Sequence, residues 1–158
     1  MIKLVPVSGY FVARGLAEIT LGVGALAAAV VAGFDSEAAR LGFAAAAVVY
    51  GGVRFAREQR HALIHVGRVS PPPAEATSAS AADLVRLAVI PSPSAIGLVI
   101  LSLTSLVFEP ALAAIIGGIL AGGGVARLAV AASLVWWERM NGPKLFTGRD
   151  GGRLYGRN

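Results

Sequence analysis

The run PALAAIIGGILAGGGVARLAVAASLVWW, residues 110–137, decides the fold. It exceeds the ~20 apolar residues that a bilayer core requires. Its single charge is Arg127, and it ends in two tryptophans, a residue type that collects at membrane–water interfaces. Proline at its start stands where a helix has no use for the missing N–H. The reading is a membrane-spanning helix, the last of four.

Working outward, Glu109-Pro110 separates this run from another apolar stretch, 93–108. Two more precede it, 14–33 and 38–56, joined by the polar turn Phe34-Asp35-Ser36-Glu37. The whole chain is 56% hydrophobic and only 15% charged, with a mean hydropathy of +0.71. A soluble domain is nearer a quarter charged. The expected fold is therefore all-α: a single membrane domain, an integral-membrane four-helix bundle. Ala25-Leu26-Ala27 has the small-x-small form of a signal-peptidase site, but Glu18 interrupts the apolar core such a leader needs. The first run is accordingly expected to stay in place as a span.

Orientation follows from the bases. The two short turns carry Asp35, Glu37, Arg40 and Glu109, whereas the opposite side carries Lys3, Arg14, Arg54, Arg57, Arg60, Arg68, Arg86, Arg139, Lys144, Arg149, Arg153 and Arg157. The positive-inside rule then predicts that both termini are cytoplasmic, in a bacterial cytoplasmic membrane. The two hairpins echo each other: Gly51-Gly52-Val53-Arg54 after the first turn, Gly123-Gly124-Val125-Ala126-Arg127 after the second. A 2+2 hairpin duplication would give this, and so would chance in an Ala/Gly/Val background. Small residues recur at spacings of four, as Ala113, Gly117 and Ala121, as Gly118, Gly122 and Ala126, and as Ala25, Ala29 and Gly33. Such stripes let helix backbones approach in a bilayer.

Residues 57–83 read as a cytoplasmic segment. The second helix continues past the membrane as an amphipathic extension, with Arg54, Arg57, Glu58, His61, His65 and Arg68 on one face and Phe55, Ala62, Leu63 and Val66 on the other. It ends at Gly67 and Pro71-Pro72-Pro73. A flexible linker, 74–79, leads to the capping-box pattern Ser80-Ala81-Ala82-Asp83 and a short helix over 84–90. Pro91-Ser92-Pro93 predicts a broken third helix, with Ser92 as N-cap and Pro93 as first residue of the span. Residues 141–158 read as a disordered basic tail, with a hairpin between Leu145-Phe146 and Leu154-Tyr155 as the lesser alternative.

Three constellations could carry function. Glu18 and Arg127 lie within apolar runs, where ionisable groups are costly and usually paired. A buried pair of Glu18 with Arg127 or Arg14 is expected to lock helices. The alternative role for Glu18 is as a coupling carboxylate in transport. Arg14, Arg54, Arg86 and Arg127, with the helix start at Ser92-Pro93, could hold an anion or lipid headgroup. Glu58, His61 and His65 share a helix face with the spacing of metal ligands, although the surrounding arginines oppose a cation.

Leu16-Ala17-Glu18-Ile19, and Glu109-Pro110 leading to Ile115-Ile116-Gly117 and Gly124-Val125, resemble stretches of the small multidrug resistance exporters. The resemblance implies a four-helix proton-coupled antiporter with Glu18 as its carboxylate. The chain departs from that pattern in its long charged segment between spans two and three and in its strong charge bias, and it is not read as a member.

The absence of cysteine excludes disulfides and thiol chemistry. The sequence carries no nucleophile elbow, phosphate loop, metal-protease motif or dinucleotide fingerprint. The expected function is therefore that of a non-enzymatic accessory subunit or scaffold. It needs no cofactor and binds no nucleic acid. Its partners would be anionic headgroups and a membrane protein or a second copy.

Overall fold

The computed structural model of the chain describes residues 3–66, 69–72, 76–80, 82–83, 93–147 and 154–157. Helices dominate it. In chain order the elements are β1 (Lys3–Pro6), α1 (Val7–Val31), α2 (Ser36–Val66), β2 (Thr77–Ser78), α3 (Pro93–Phe108), α4 (Pro110–Asn141), β3 (Lys144–Thr147) and β4 (Leu154–Arg157). Helix α1 begins at Val7, two turns before the expected start of the first span. By length and composition, α1 and α4 are long and apolar enough to cross a membrane, while Ala95–Phe108 is apolar but shorter.

The helix ends are set by local chemistry. Gly33, with φ +91°, takes the left-handed conformation just beyond α1, and Gly142, with φ +90°, does so just beyond α4. Asp35 opens α2 by accepting the Glu37 N–H at 2.7 Å, as an N-cap carboxylate does. Pro110 stands in the first turn of α4. Ser80 and Asp83 form the expected capping box, with the Asp83 N–H donating to Ser80 Oγ at 3.2 Å and the Ser80 N–H to Asp83 Oδ2 at 3.0 Å. The segment 84–90, Arg86, the break at Pro91-Ser92 and the His65 side chain lie outside the described residues. Helix α3 itself begins at Pro93.

Helix α4 is the centre of the assembly. Its residues from Ala113 to Leu134 are mostly buried, because α1 packs along one side and α2 along another, with almost no side chain between. A Cβ on Gly117 would lie 2.6 Å from the Gly22 carbonyl of α1, and one on Gly15 would lie 2.8 Å from the Gly124 carbonyl. On the α2 side, a Cβ on Gly118 or Gly122 would strike the carbonyl of Phe43 or Ala47. Helix α3 lies against the first half of α4, with Leu106 on a cluster of Ala29, Ala39, Ala113 and Ala114.

The tail is not a free basic tail. β3 and β4 form the hairpin, pairing Leu145 with Gly156 and Phe146 with Tyr155. The connecting turn 148–153 lies outside the described residues. β1 pairs antiparallel with β3, and β2, in the segment expected to be a linker, pairs parallel with β1, giving the order β2-β1-β3-β4. Alternating burial along β3 explains why the tail folds: Leu145 and Thr147 point inward, and Leu145 is 1% exposed in a cluster with Val7, Val130 and Leu134. Phe55, Ala62 and Val66 of α2 pack on the same cluster. The apolar face of the amphipathic extension is thus covered by the chain's own α4 and sheet. The sheet also gathers Lys3–Pro6, Thr77–Ser78 and the strands Lys144–Thr147 and Leu154–Arg157 at one end of the helices, while the two short turns lie at the other.

Candidate functional site

Three helices each present a small residue and then, one turn toward the sheet, a charge. On α1, Gly15, Glu18 and Gly22 share the buried stripe. Gly15 lies on Gly124 and Gly22 on Gly117, so α1 is held close to α4 on both sides of Glu18. On α4, Arg127 follows Gly123-Gly124. On α2, Arg54 follows Gly51, whose Cβ position is 2.9 Å from the Gly122 carbonyl. Helices this close leave the long charged side chains nowhere to extend except toward one another.

They form one network. Arg127 Nη1 donates to Glu18 Oε1. Arg54 Nη1 lies 3.5 Å from Glu18 Oε2, and Arg54 Nε donates to Glu58 Oε1 at 2.8 Å. Arg127 Nε, 3.8 Å from Glu58 Oε1, closes the ring. Two carboxylates and two guanidinium groups balance in charge. Glu18 is 5% and Arg127 8% exposed, a depth at which an unpaired charge would be severely unfavourable. Gly123 is the floor: a Cβ there would meet Arg54 Nη1 at 2.5 Å, with Tyr50 and Glu18 just beyond.

Of the sequence-predicted residues, Glu18, Arg127, Arg54 and Glu58 meet here. Arg14 does not reach Glu18 among the described contacts. It donates to the Tyr10 hydroxyl and lies 5.7 Å from that ring's centroid. His61 is exposed one turn beyond Glu58. Glu58 is engaged by Arg54 and Arg127, and among the described residues, which leave out the His65 side chain, no group of three or more His, Cys, Asp or Glu is placed to hold a metal. Sequence reasoning missed the link from Glu58 to Arg54 and the roles of Tyr10 and Tyr50, whose ring lies 5.8 Å from Arg54. The signal was present: Tyr10–Arg14, Tyr50–Arg54 and Arg54–Glu58 are all i,i+4 pairs, which face each other on a helix.

Beside the network, between α1 and α2 and under the sheet, a cleft of about 620 Å³ opens. Arg54, Arg57, Glu58 and Arg127 line its polar part, and the walls beyond are aromatic and aliphatic, including Phe11 and Leu134. The orphan carboxylate oxygens, Glu18 Oε2 and Glu58 Oε2, are buried without a hydrogen bond.

No protein-family model, curated protein or solved structure matches the chain.

Proposed function

We propose that the chain is an integral membrane scaffold or accessory subunit, crossing the bilayer with α1, α2, α3 and α4 and holding its sheet and both termini on the cytoplasmic side. What supports insertion is the outer surface of the helices. Leu16 and Val23 on α1, Val48 and Val49 on α2, and Ile100, Leu103, Val107 and Phe108 on α3 are all exposed. Apolar area on this scale is covered in a stable protein, and lipid is the natural cover. What supports orientation is that the sheet end carries most of the bases, including Arg54, Arg57, Arg60, Arg139 and Lys144.

The observation that carries the scaffold reading over transport is the state of Glu18. A coupling carboxylate must meet water from both faces of the membrane in turn. Glu18 is instead buried, held by two arginines, and flanked above and below by backbone-to-backbone helix contacts. A group pinned on all sides locks helices together.

Single cysteines at Ser36 and Thr77, probed with an impermeant thiol reagent on intact cells, test the topology. Ser36→Cys is expected to label directly and Thr77→Cys only after permeabilisation, and the reverse would overturn the orientation. Purification from native membranes in mild detergent, with quantitative mass spectrometry, tests the role. A stoichiometric membrane partner is expected. Recovery of the protein alone, together with proton flux in proteoliposomes that Glu18→Gln abolishes, would replace the scaffold with a transporter.

A further inference from the structure

We infer that the cleft between α1 and α2 binds an uncharged amphiphile with a flat, carbonyl-bearing ring, the chemistry of a quinone. The ring lies at the sheet end and the tail leaves toward the bilayer. The inference rests on the membrane reading above and adds a ligand to it.

Charge selects the ligand class. The two arginines at the floor of the cleft are already matched, Arg127 by Glu18, and Arg54 by Glu58 and Glu18. A neutral ligand asks for no further cation. What it needs is donors, and the rim supplies two. Arg57 and His61 line the cleft, are exposed, and enter no ion pair or hydrogen bond among the described residues. Both carry N–H groups that a ring carbonyl can accept.

Position selects the orientation. Helix α2 runs toward the sheet, so its lining residues fall in order of depth: Tyr50 and Val53, then Arg57, then His61 and Ala62. From Tyr50 to His61 is about 16 Å at 1.5 Å per residue, room for a ring and the start of a tail. The sheet end is walled by Phe11, Ala62 and Leu134, with Val7 and Leu154 beside them. These are apolar surfaces for the two faces of a ring, one of them aromatic. A phospholipid headgroup would set its charges against the same walls. The opposite end opens to lipid. Val53 is 66% and Tyr50 38% exposed there, and Val53 continues the exposed Val49 by one turn of α2. A tail therefore leaves sideways into the leaflet, below a ring that faces the cytoplasmic side, which is the upright arrangement for an amphiphile. The volume, about 620 Å³, falls within the roughly 300–1,000 Å³ of small-molecule sites.

The full-length protein in a neutral detergent is titrated by calorimetry with a decyl-tailed benzoquinone, the same benzoquinone without a tail, decanol and decanoate, with partition into empty micelles subtracted. The tailed quinone is expected to bind saturably and at least about tenfold more tightly than the bare ring or decanol, since both ring and tail are buried. Its affinity is expected to change less than about twofold between low and high salt, because no net charge is used. Arg57→Gln combined with His61→Ala is expected to weaken it about tenfold, a few-fold for each lost hydrogen bond. Arg60→Gln, exposed on the same helix outside the cleft, is expected to change it less than about twofold. Arg57 and His61 are exposed, so the double variant should keep its unfolding midpoint, which is measured alongside. Decanoate binding as tightly as the quinone would overturn the neutral ligand. Equal binding of decanol would overturn the ring, and equal binding of the bare ring would overturn the tail's path to the bilayer. Equal effects of the rim variant and Arg60→Gln would place binding outside the cleft. Failure of the membrane reading shows separately, as release of the protein from membranes by alkaline carbonate.

Discussion

Helix α4 is held in two different ways along its length. From Gly117 to Gly124 it touches α1 and α2 backbone to backbone, through Gly22, Gly15, Phe43 and Ala47. From Arg127 to Leu134 the same three helices are joined by long side chains, first the four-membered charge network and then Val7, Val130, Leu134 and Leu145. The first zone brings backbones into contact, with Glu18 of α1 as the charge set among its glycines and an apolar groove beside Gly51 and Gly122. The second holds the arginines, Glu58 and the larger cleft. The difference teaches an order of dependence: the glycine zone sets the helix spacing, and the charges can pair only because that spacing brings Glu18 within reach of Arg127.

The largest effect is expected where charge is removed from the network. Glu18→Gln leaves Arg127, among the described residues, with the more distant Glu58, and breaking a buried pair by deleting one partner typically costs about 3–5 kcal/mol. Arg127→Gln should lose less, because Arg54 still faces Glu18 at 3.5 Å. The double variant should recover part of the summed loss. A double-mutant cycle by SDS titration in mixed micelles measures this. Strictly additive losses would mean that the two zones are not linked through this pair.

A smaller loss is expected where volume is added to the first zone. Gly118→Ala places a methyl group against the Phe43 carbonyl and 2.9 Å from Ala46 Cβ, and Gly22→Ala places one 2.7 Å from the Ala121 backbone nitrogen. Neither neighbour is a flexible side-chain tip, so the helices must separate. Overpacking of this kind costs about 1–3 kcal/mol. If spacing governs pairing, Gly22→Ala should also shrink the coupling energy between Glu18 and Arg127 in the cycle above. Unchanged coupling would break the order of dependence.

The helices and the seam were legible in the sequence because both rest on local patterns. Apolar runs gave the elements, spacings of four gave the small-residue stripes, and a lone Glu18 and a lone Arg127 in apolar surroundings demanded partners. Which glycines of α1 face α4 was not legible. Ala25 and Ala29 of the expected stripe do pack on α4, but its continuation to Gly22 and Gly15, where the closest approaches are made, was not seen, because rotation about a uniformly apolar helix changes little in composition. The sheet was also hidden. Lys3–Pro6 and Thr77–Ser78 are too short to show alternation, and their pairing joins segments far apart in sequence. The tail hairpin could be seen only as an alternative, since burial of Leu145 depends on Val7 and Val130 from other elements. The pairing of Glu58 with Arg54 was not singled out, because a helix face carrying acid, base and imidazole fits a metal or a salt bridge equally by spacing.

The smallest expected effect sharpens the comparison most, because it has the opposite sign. Neighbouring glycines differ in what a methyl group would meet. Gly51 faces the Gly122 carbonyl at 2.9 Å, whereas Gly52 has nothing within 4 Å. Gly24, two residues from Gly22, is likewise open. At open helical positions glycine brings only backbone freedom that folding must remove, so alanine should stabilise by up to about 0.5–1 kcal/mol. In a bilayer the gain should lie toward the low end, since a spanning segment stays helical even when the bundle is unfolded, to satisfy its own backbone. Gly52→Ala and Gly24→Ala should therefore raise stability slightly in the SDS titration, while Gly51→Ala and Gly22→Ala lower it. The sign within each pair is the test. If Gly51→Ala were as well tolerated as Gly52→Ala, α2 would not meet α4 along the face described, and the placement of Arg54 one turn beyond Gly51, and with it the second contact to Glu18, would fall.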